Sequence, residues 1–468
     1  MVVFFNLIMT DASYNIIIFH YNEIGIKSDK VRLRMENQLI RNAAAIYRKF
    51  GITYHEIIRE FGRIYFYFSS DQMEKAIIAS KYVIGLLYFS IALECSIDIE
   101  SIAAMAIKLL TKDLGQNKNI RSFGISARRV KSYPMKSPEI SKYVGEKMAA
   151  AFPSLKINLN KADFHLYIEI REKKAFLYKQ QVEAYLQGLP LESTKMLLGQ
   201  SFGRFSDLVS IIMMMKRGVF VQPIYFTFGR IGSDTQAKYR EKLQYLTALL
   251  PSSLYCIEIP FESMMEKINR TALAKGISPC WLCFYVRQKI LGELVDLIND
   301  GKIANEQISK SLELGEEVEI NKIKKGHVKK KGFFKGVTIG LNETSENYCG
   351  TDLLSLSPLI QHQHLIFTPC ITFDETMFDN YRKIFREMDQ VKISGPQFDE
   401  IYSPNEHLCS LIDVHRNVME NFTGILDSLT GEQRMDYMKE ISVERIYEEG
   451  LFHEDISNLL NEINIVEL

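Results

Sequence analysis

MLLGQSFGRFSDLVSIIMMMKRG, residues 196–218, is the stretch whose reading decides the fold. Its apolar run Met196, Leu197 and Leu198 reads as a buried strand, and a loop holding Gly199 and Gly203 follows. The apolar segment 208–215 then closes in Lys216-Arg217-Gly218, the basic last turn and C-terminal glycine of a helix. Strand, glycine loop and helix are how α/β proteins present backbone N–H groups and a positive helix end to a phosphate. Ser201, Gly203, Arg204 and Asp207 are therefore the candidate phosphate residues, with the Arg204 guanidinium able to bind phosphate directly. Against that, Arg204 puts a Cβ where a glycine would let backbone approach a pyrophosphate. Arg204 and Phe205 are expected to divert the loop, with Phe202 or Phe205 partly filling the nucleotide space and ATP binding weak or absent.

Beyond Gly218 the pattern alternates as a doubly wound domain does: a strand at 220–228, a helix at 237–250, a strand at 254–259. Pro279-Cys280-Trp281-Leu282-Cys283 then opens an apolar helix running to 298. A lone CxxC reads equally as metal ligands, a redox pair or buried thiols. Placed on one face at a helix N-terminus, Cys280 and Cys283 suit an iron–sulfur cluster or zinc, but such a site needs another thiolate. Cys349 or Cys370 serves only if the fold brings it near. Residues 301–335 break the pattern, with seven Lys between Lys322 and Lys335, His327 and no acid over that run. They read as an exposed insertion, either a phosphate-tracking arm or a solubilising loop. After Pro404 the chain is helical and increasingly acidic.

Toward the N-terminus, 15–21 is β-rich, 31–50 is helical with Met35, Leu39, Ala43 and Ile46 inward, and 63–68 alternates. An extended segment at 121–127 leads into a basic window, 121–142, holding six Lys or Arg against Glu139 alone, with Phe123 and Tyr133 interleaved and Tyr143 just beyond. A helix at 138–152 and strands at 156–159 and 164–171 follow. Arg128, Arg129, Lys131 and Lys136 are candidate RNA contacts; a solvated basic face is the plain alternative. Glu169 and Arg171, on an alternating strand, are as ready to pair internally as to meet RNA.

The 468 residues have room for three domains. Formal charge is zero, but residues 418–468 hold 12 acids against 3 bases, leaving the rest at net +9, a balance compatible with a nucleic-acid partner. Seven cysteines, irregularly spaced, do not make a secreted disulfide framework. With no signal-peptide pattern and no apolar run long enough for a bilayer, no membrane and a reduced cytoplasm are expected.

Several of these stretches carry a resemblance. Tyr21-Asn22-Glu23-Ile24-Gly25-Ile26-Lys27 is similar to the Y-G-E-I-x-L-K opening of ThiI proteins, the tRNA 4-thiouridine synthases. SFGISARRVKSYPMKSPEISKYVGE, NKADFHLYIEIREKKAFLY and QGLP resemble, in order, the blocks of a THUMP domain. Met214-Met215-Lys216-Arg217-Gly218 aligns the opening stretch with that family's PP-loop, where strand and helix flank Ser-Gly-Gly-x-Asp-Ser. Without a gap those positions are Phe202, Gly203, Arg204, Phe205, Ser206 and Asp207, so only Gly203 agrees; a one-residue slip recovers Ser201 and swaps Ser206 with Asp207. The C-x-x-C-K-R-x-M helix start has Phe284 and Tyr285 in place of Lys and Arg, and Phe398 and Asp399 stand where the family carries its further cysteine.

The resemblance implies an α/β and α+β multidomain chain: a ferredoxin-like domain at 1–70, a THUMP domain at 71–185, a doubly wound PP-loop domain at 186–415 interrupted by 301–335, and an acidic helical tail at 416–468. It implies contact of Arg128, Arg129, Lys131 and Lys136 with the 3′ end and acceptor stem of tRNA, and a homodimer in which one subunit presents tRNA to the other. In the family, ATP adenylates the C4 oxygen of uridine 8 and a cysteine persulfide displaces AMP. Two functions from different classes follow. One is a tRNA-binding member whose adenylation and sulfur-transfer site is lost or impaired. The other is a working sulfurtransferase using Ser201, Gly203, Arg204 and Asp207 for ATP and Cys280 or Cys283 for sulfur, a cluster or zinc.

Overall fold

The computed structural model describes residues 15–401, except 118, 202–203, 228–232, 276–278, 304–317, 321–322, 326–333, 341–358, 361 and 390–396, together with 430, 433 and 452–467. Two compact units result: Met1–Leu189 with Glu316–His327, and Pro190–Gly315 with Val328–Leu468.

Unit 1 is built on one eight-stranded sheet. Its strands are β1 (Ile16–His20), β2 (Glu56–Glu60), β3 (Arg63–Tyr67), β4 (Tyr88–Cys95), β5 (Ser122–Arg129), β6 (Lys156–Ile157), β7 (Phe164–Ile170) and β8 (Ala175–Glu183). They lie in the order β2-β3-β1-β4-β8-β7-β5-β6. β1 sits inside the sheet and is buried along its whole length, so its sequence is an unbroken apolar run instead of an alternation. The helices are α1 (Asp29–Lys49), α2 (Met73–Ser80), α3 (Ile99–Gln116) and α4 (Ser137–Ala151). On α1, Leu39, Ala43 and Ile46 are buried, as the 3.6-residue spacing requires. Asp98 caps α3 by accepting from the Ser101 N–H at 2.9 Å, and the Glu139 carboxylate accepts from the Lys136 N–H at 2.8 Å at the head of α4.

Aromatic rings pave one core of this sheet. Tyr65 and Phe176 stack at 4.6 Å and Tyr167 and Tyr178 at 5.3 Å, around Ile16, Ile18 and Ala92. Glu169, nearly fully buried, lies 2.9 Å from Arg63 and 2.5 Å from Arg171. Glu169 and Arg171 thus take the internal role, a carboxylate held between two guanidinium groups that answer its burial.

The stretch 301–335 is not one exposed arm. β12 (Val318–Ile320) and β13 (Ile323–Lys325) form an antiparallel hairpin with Ile320 buried, and this segment groups with unit 1, near β2 and α1. An apolar strand position amid lysines anchors the hairpin; much of the lysine run, 326–333, lies outside the described residues.

Unit 2 carries β9 (Glu192–Ser201), β10 (Val219–Thr227), β11 (Tyr255–Pro260), β14 (Phe334–Thr338), β15 (Leu365–Phe367) and β16 (Asn464–Glu467). The order is β15-β14-β9-β10-β11-β16, parallel throughout except for β16. Its helices are α5 (Phe205–Lys216), α6 (Ser233–Leu249), α7 (Glu262–Lys275), α8 (Pro279–Asn299), α9 (Glu375–Asp389), α10 (Phe398–Ile401) and α11 (His453–Leu460). From β9 the chain steps one way to β10 and β11 and returns on the other side for β14 and β15, so the carboxyl ends of β9 and β14 flank the topological switch point. The end of the chain is not wholly helical: after α11, β16 pairs antiparallel with β11 and covers what would be an open edge. Among the described residues no helix is long and apolar enough to cross a membrane.

Replacing Glu169 with Gln leaves Arg63 and Arg171 without their carboxylate; urea unfolding of the variant is expected to show a loss of about 3 kcal/mol, the low end for a broken buried pair because both arginines retain some solvent contact.

Candidate functional site

The switch point of unit 2 holds three of the residues that the sequence offers to a phosphate, Ser201, Arg204 and Asp207. Ser201 is the last residue of β9 and is buried; Gly203, with Phe202, lies outside the described residues. Arg204 is the N-cap of α5, with extended backbone (φ −75°, ψ 148°), so α5 starts immediately behind it. Its guanidinium turns onto the first turn of its own helix. Arg204 Nη2 donates to Asp207 Oδ1 at 2.9 Å and Nε to Oδ2 at 3.4 Å. Asp207 has no exposed surface. The positive helix end and the arginine thus both face a carboxylate that belongs to the protein.

The neighbours of this pair close it in. Gly340 follows β14 so closely that a Cβ there would stand 2.4 Å from the Asp207 backbone N, a distance only glycine permits. Ser210 and Thr338 hydroxyls meet at 2.7 Å across α5 and β14, and the buried amides of Gln288 and Gln200 meet at 2.9 Å, tying α8 to the end of β9. Phe205 turns into an aromatic box, 5.9 Å from the Phe378 and Phe385 rings and 5.4 Å from that of Phe398, with Arg382 over its face at 5.4 Å. Phe398, one of the residues standing for the family's further cysteine, is thereby a wall of that box.

Cys370 also lies here. Its Sγ is 3.7 Å from the Ser206 carbonyl oxygen and 4.0 Å from Met213 Sδ. Burial pushes its thiol up to about 12, the Asp207 carboxylate adding to the effect and Arg204 opposing it. A thiol so held is packed and favours its protonated form.

Cys280 and Cys283 occupy the first turn of α8, both buried and outside any disulfide, with Cys283 Sγ 3.7 Å from Met265 Sδ. Among the described residues, no third cysteine, histidine or carboxylate joins them in a ligand set; Cys370 is instead at the head of α5, and Cys349 lies outside the described residues.

In unit 1 the basic candidates divide. Arg128, Lys131 and Lys136 are exposed around the end of β5 and the start of α4. Arg129 is half-buried, and its Nη1 donates to the carbonyls of Val130 at 3.0 Å and Lys131 at 2.7 Å, so it shapes the loop that displays Lys131. The interleaved aromatics are structural: Phe123 is fully buried, the Tyr133 hydroxyl donates to the Ile97 carbonyl at 2.9 Å, and the Tyr143 hydroxyl bonds Glu100. No motif in the sequence separated the loop-bracing Arg129 from its exposed neighbours, because the distinction lies in where the guanidinium folds back.

Two stretches match models of known domains: 16–90 the ThiI ferredoxin-like domain and 97–179 the THUMP domain. A probable tRNA sulfurtransferase of Thermococcus kodakarensis is 29% identical over 279 residues, 59% of this chain and 72% of that protein. One of Methanosarcina acetivorans is 32% identical over 218 residues, covering 45% of this chain and 50% of its own length. Among solved structures, a 4-thiouridine synthetase–RNA complex with bound ATP superposes with a TM-score of 0.62 over 97% of this chain and 100% of that one, at 16% identity. A protein of Pyrococcus horikoshii Ot3 superposes with a TM-score of 0.54 over 79% and 98%, at 20% identity. At these identities the superpositions show the fold.

The position of Cys370 has a consequence for pH. Its folded pKa stands above the unfolded value near 8.5, so the stability it contributes is full below pH of about 8.5 and is lost as pH rises toward 12. Ellman's reagent at pH 8 is expected to leave Cys370 unlabelled in the native chain and to label it in urea, read by peptide mass spectrometry; ready native labelling would contradict the burial.

Proposed function

We propose that this chain is a member of the ThiI family of tRNA sulfurtransferases with a THUMP domain, that it binds tRNA through unit 1 and that it has lost the ATP-dependent adenylation of that family. The observation that carries the second half is the buried Arg204–Asp207 pair at the switch point. A triphosphate at the head of α5 would bring several negative charges beside a buried carboxylate, and the Nε–Nη2 edge of the guanidinium is already engaged by Asp207, so binding through that edge would break the pair. Removing one partner of such a pair costs about 3–5 kcal/mol, a penalty deducted from any gain on binding the nucleotide.

Retention of tRNA rests on Arg128, Lys131 and Lys136 as phosphate contacts, with Arg129 bracing their loop. Such contacts track RNA shape and backbone more than base edges. The acceptor end of tRNA as ligand, a homodimer that presents it and a cytoplasmic setting belong to the same proposal, and light scattering reads the dimer.

Filter binding of tRNA to the full chain is expected to weaken steeply with salt. Replacing Arg128, Lys131 and Lys136 with Ala should cut the log–log salt slope by about 2–3, at roughly 0.7–0.9 for each phosphate no longer neutralised; unchanged retention would reduce the basic stretch to a solvated surface. Calorimetry with ATP is expected to show no stoichiometric binding, and AMP release with tRNA none above background. The Arg204→Gly variant should not restore either, because serine and aspartate stay out of register. Stoichiometric, micromolar ATP binding by the unaltered chain would favour a working sulfurtransferase with a divergent loop.

A further inference from the structure

Three groups on unit 2 that neither the sequence motifs nor the proposed function uses converge at the amino end of β15. Asp296 comes from the last turn and a half of α8, and His362 and His364 from the turn that leads into the strand. His362 Nδ1 is 2.7 Å from Asp296 Oδ2, and His364 Nε2 is 3.2 Å from Asp296 Oδ1. The two imidazoles lie nearly parallel, at 9°, with centroids 5.7 Å apart. One donor atom from each of the three side chains lies within 4.8 Å of the others.

The helix is shaped for this arrangement. Gly292 stands one turn before Asp296 on the same face of α8, and a Cβ there would be 2.6 Å from His362 Cδ2. The missing side chain is what lets the imidazole lie against the helix. The carbonyl of Gly292 also sits 3.1 Å from His364 Nε2. That carbonyl accepts from the ring N–H, a bond that ligation of an ion through Nε2 would replace.

We propose that Asp296, His362 and His364 bind one divalent transition-metal ion, zinc best matching the donor set. Two imidazoles and a carboxylate are borderline ligands of the kind that zinc takes in three-residue sets, leaving a further position for water or a carbonyl. Tetrahedral bonds of about 2.0–2.1 Å place donors roughly 3.4 Å apart, so no pair need close by more than about 1.4 Å. Asp296 is half exposed and His362 partly so, which gives the ion an entry path. Its role would be structural. The site lies at the amino end of the parallel strands, whereas the switch-point crevice lies at their carboxyl ends. There it clamps a three-residue edge strand, β15, to α8, beside the point where the Asn299 side chain bonds Phe334 of β14 at 2.9 and 3.0 Å.

The test uses the full chain, stripped with a chelator and titrated with Zn²⁺ alone and Co²⁺ alone. One equivalent of Co²⁺ should give a visible d–d band that Zn²⁺ abolishes, and Zn²⁺ should raise the melting temperature. His362→Gln and His364→Gln should each lose stoichiometric binding. Gly292→Ala, which keeps every ligand but crowds His362, should weaken binding at least tenfold. The double variant Cys280→Ser, Cys283→Ser should bind as the unaltered chain does. No binding above background would mean that Asp296 merely hydrogen-bonds two imidazoles, and the proposal fails. Binding that survives both histidine changes but disappears with the cysteines would assign the metal to the other site, and the proposal fails equally. Circular dichroism of each variant separates loss of ligands from loss of fold.

Discussion

A carboxylate with no solvent contact must find its countercharge inside the protein, and at the head of α5 that requirement organises what surrounds it. Asp207 is such a carboxylate, and the arginine three residues earlier turns back to meet it. Gly340 lies against the backbone of Asp207 with no room for a Cβ, Thr338 bonds Ser210, and Cys370 packs against the Ser206 carbonyl. Each contact seats the strand β14 and the segment after β15 on the same helical turn. The place where doubly wound sheets receive ligands is in this chain a place where side chains neutralise one another.

Unit 1 depends on charge in a different way. Glu169 is buried between Arg63 and Arg171, while Arg128, from the neighbouring strand position, remains exposed. Burial and these arginines also hold the buried His20 well below the usual histidine range, so it stays neutral on the sheet. Basic residues with internal partners set the geometry, and those without internal burial present charge outward. A count of lysines and arginines along the chain does not separate the two kinds.

The family resemblance and the site chemistry carry different information. The ferredoxin-like and THUMP domains match their models over 16–90 and 97–179, and the superposed synthetase covers nearly all of this chain. A fold of this kind supplies a switch-point crevice whatever occupies it; whether it accepts a nucleotide depends on a handful of side chains. At the head of α5, Arg204 and Asp207 form an ion pair and Phe205 fills an aromatic box.

The sequence by itself determined the alternation of elements. The apolar runs of β1 and β10 follow from burial on both faces, the inward face of α1 from its 3.6-residue period, and the strand–loop–helix of β9 and α5 from glycines and a basic last turn. It also placed Arg204 at the turn between that strand and helix. It did not reveal that the tail ends in a strand, since Asn464–Glu467 is too short for a periodic signal and forms because β11 has an edge to cover. Nor did it reveal the Glu169 bracket, the bracing by Arg129, or the meeting of Asp296 with His362 and His364 across more than sixty residues. Local periodicity reports which side of an element faces inward, but which side chains then face one another is a property of the folded chain. Only tertiary structure decided that the charge at the head of α5 is answered from within.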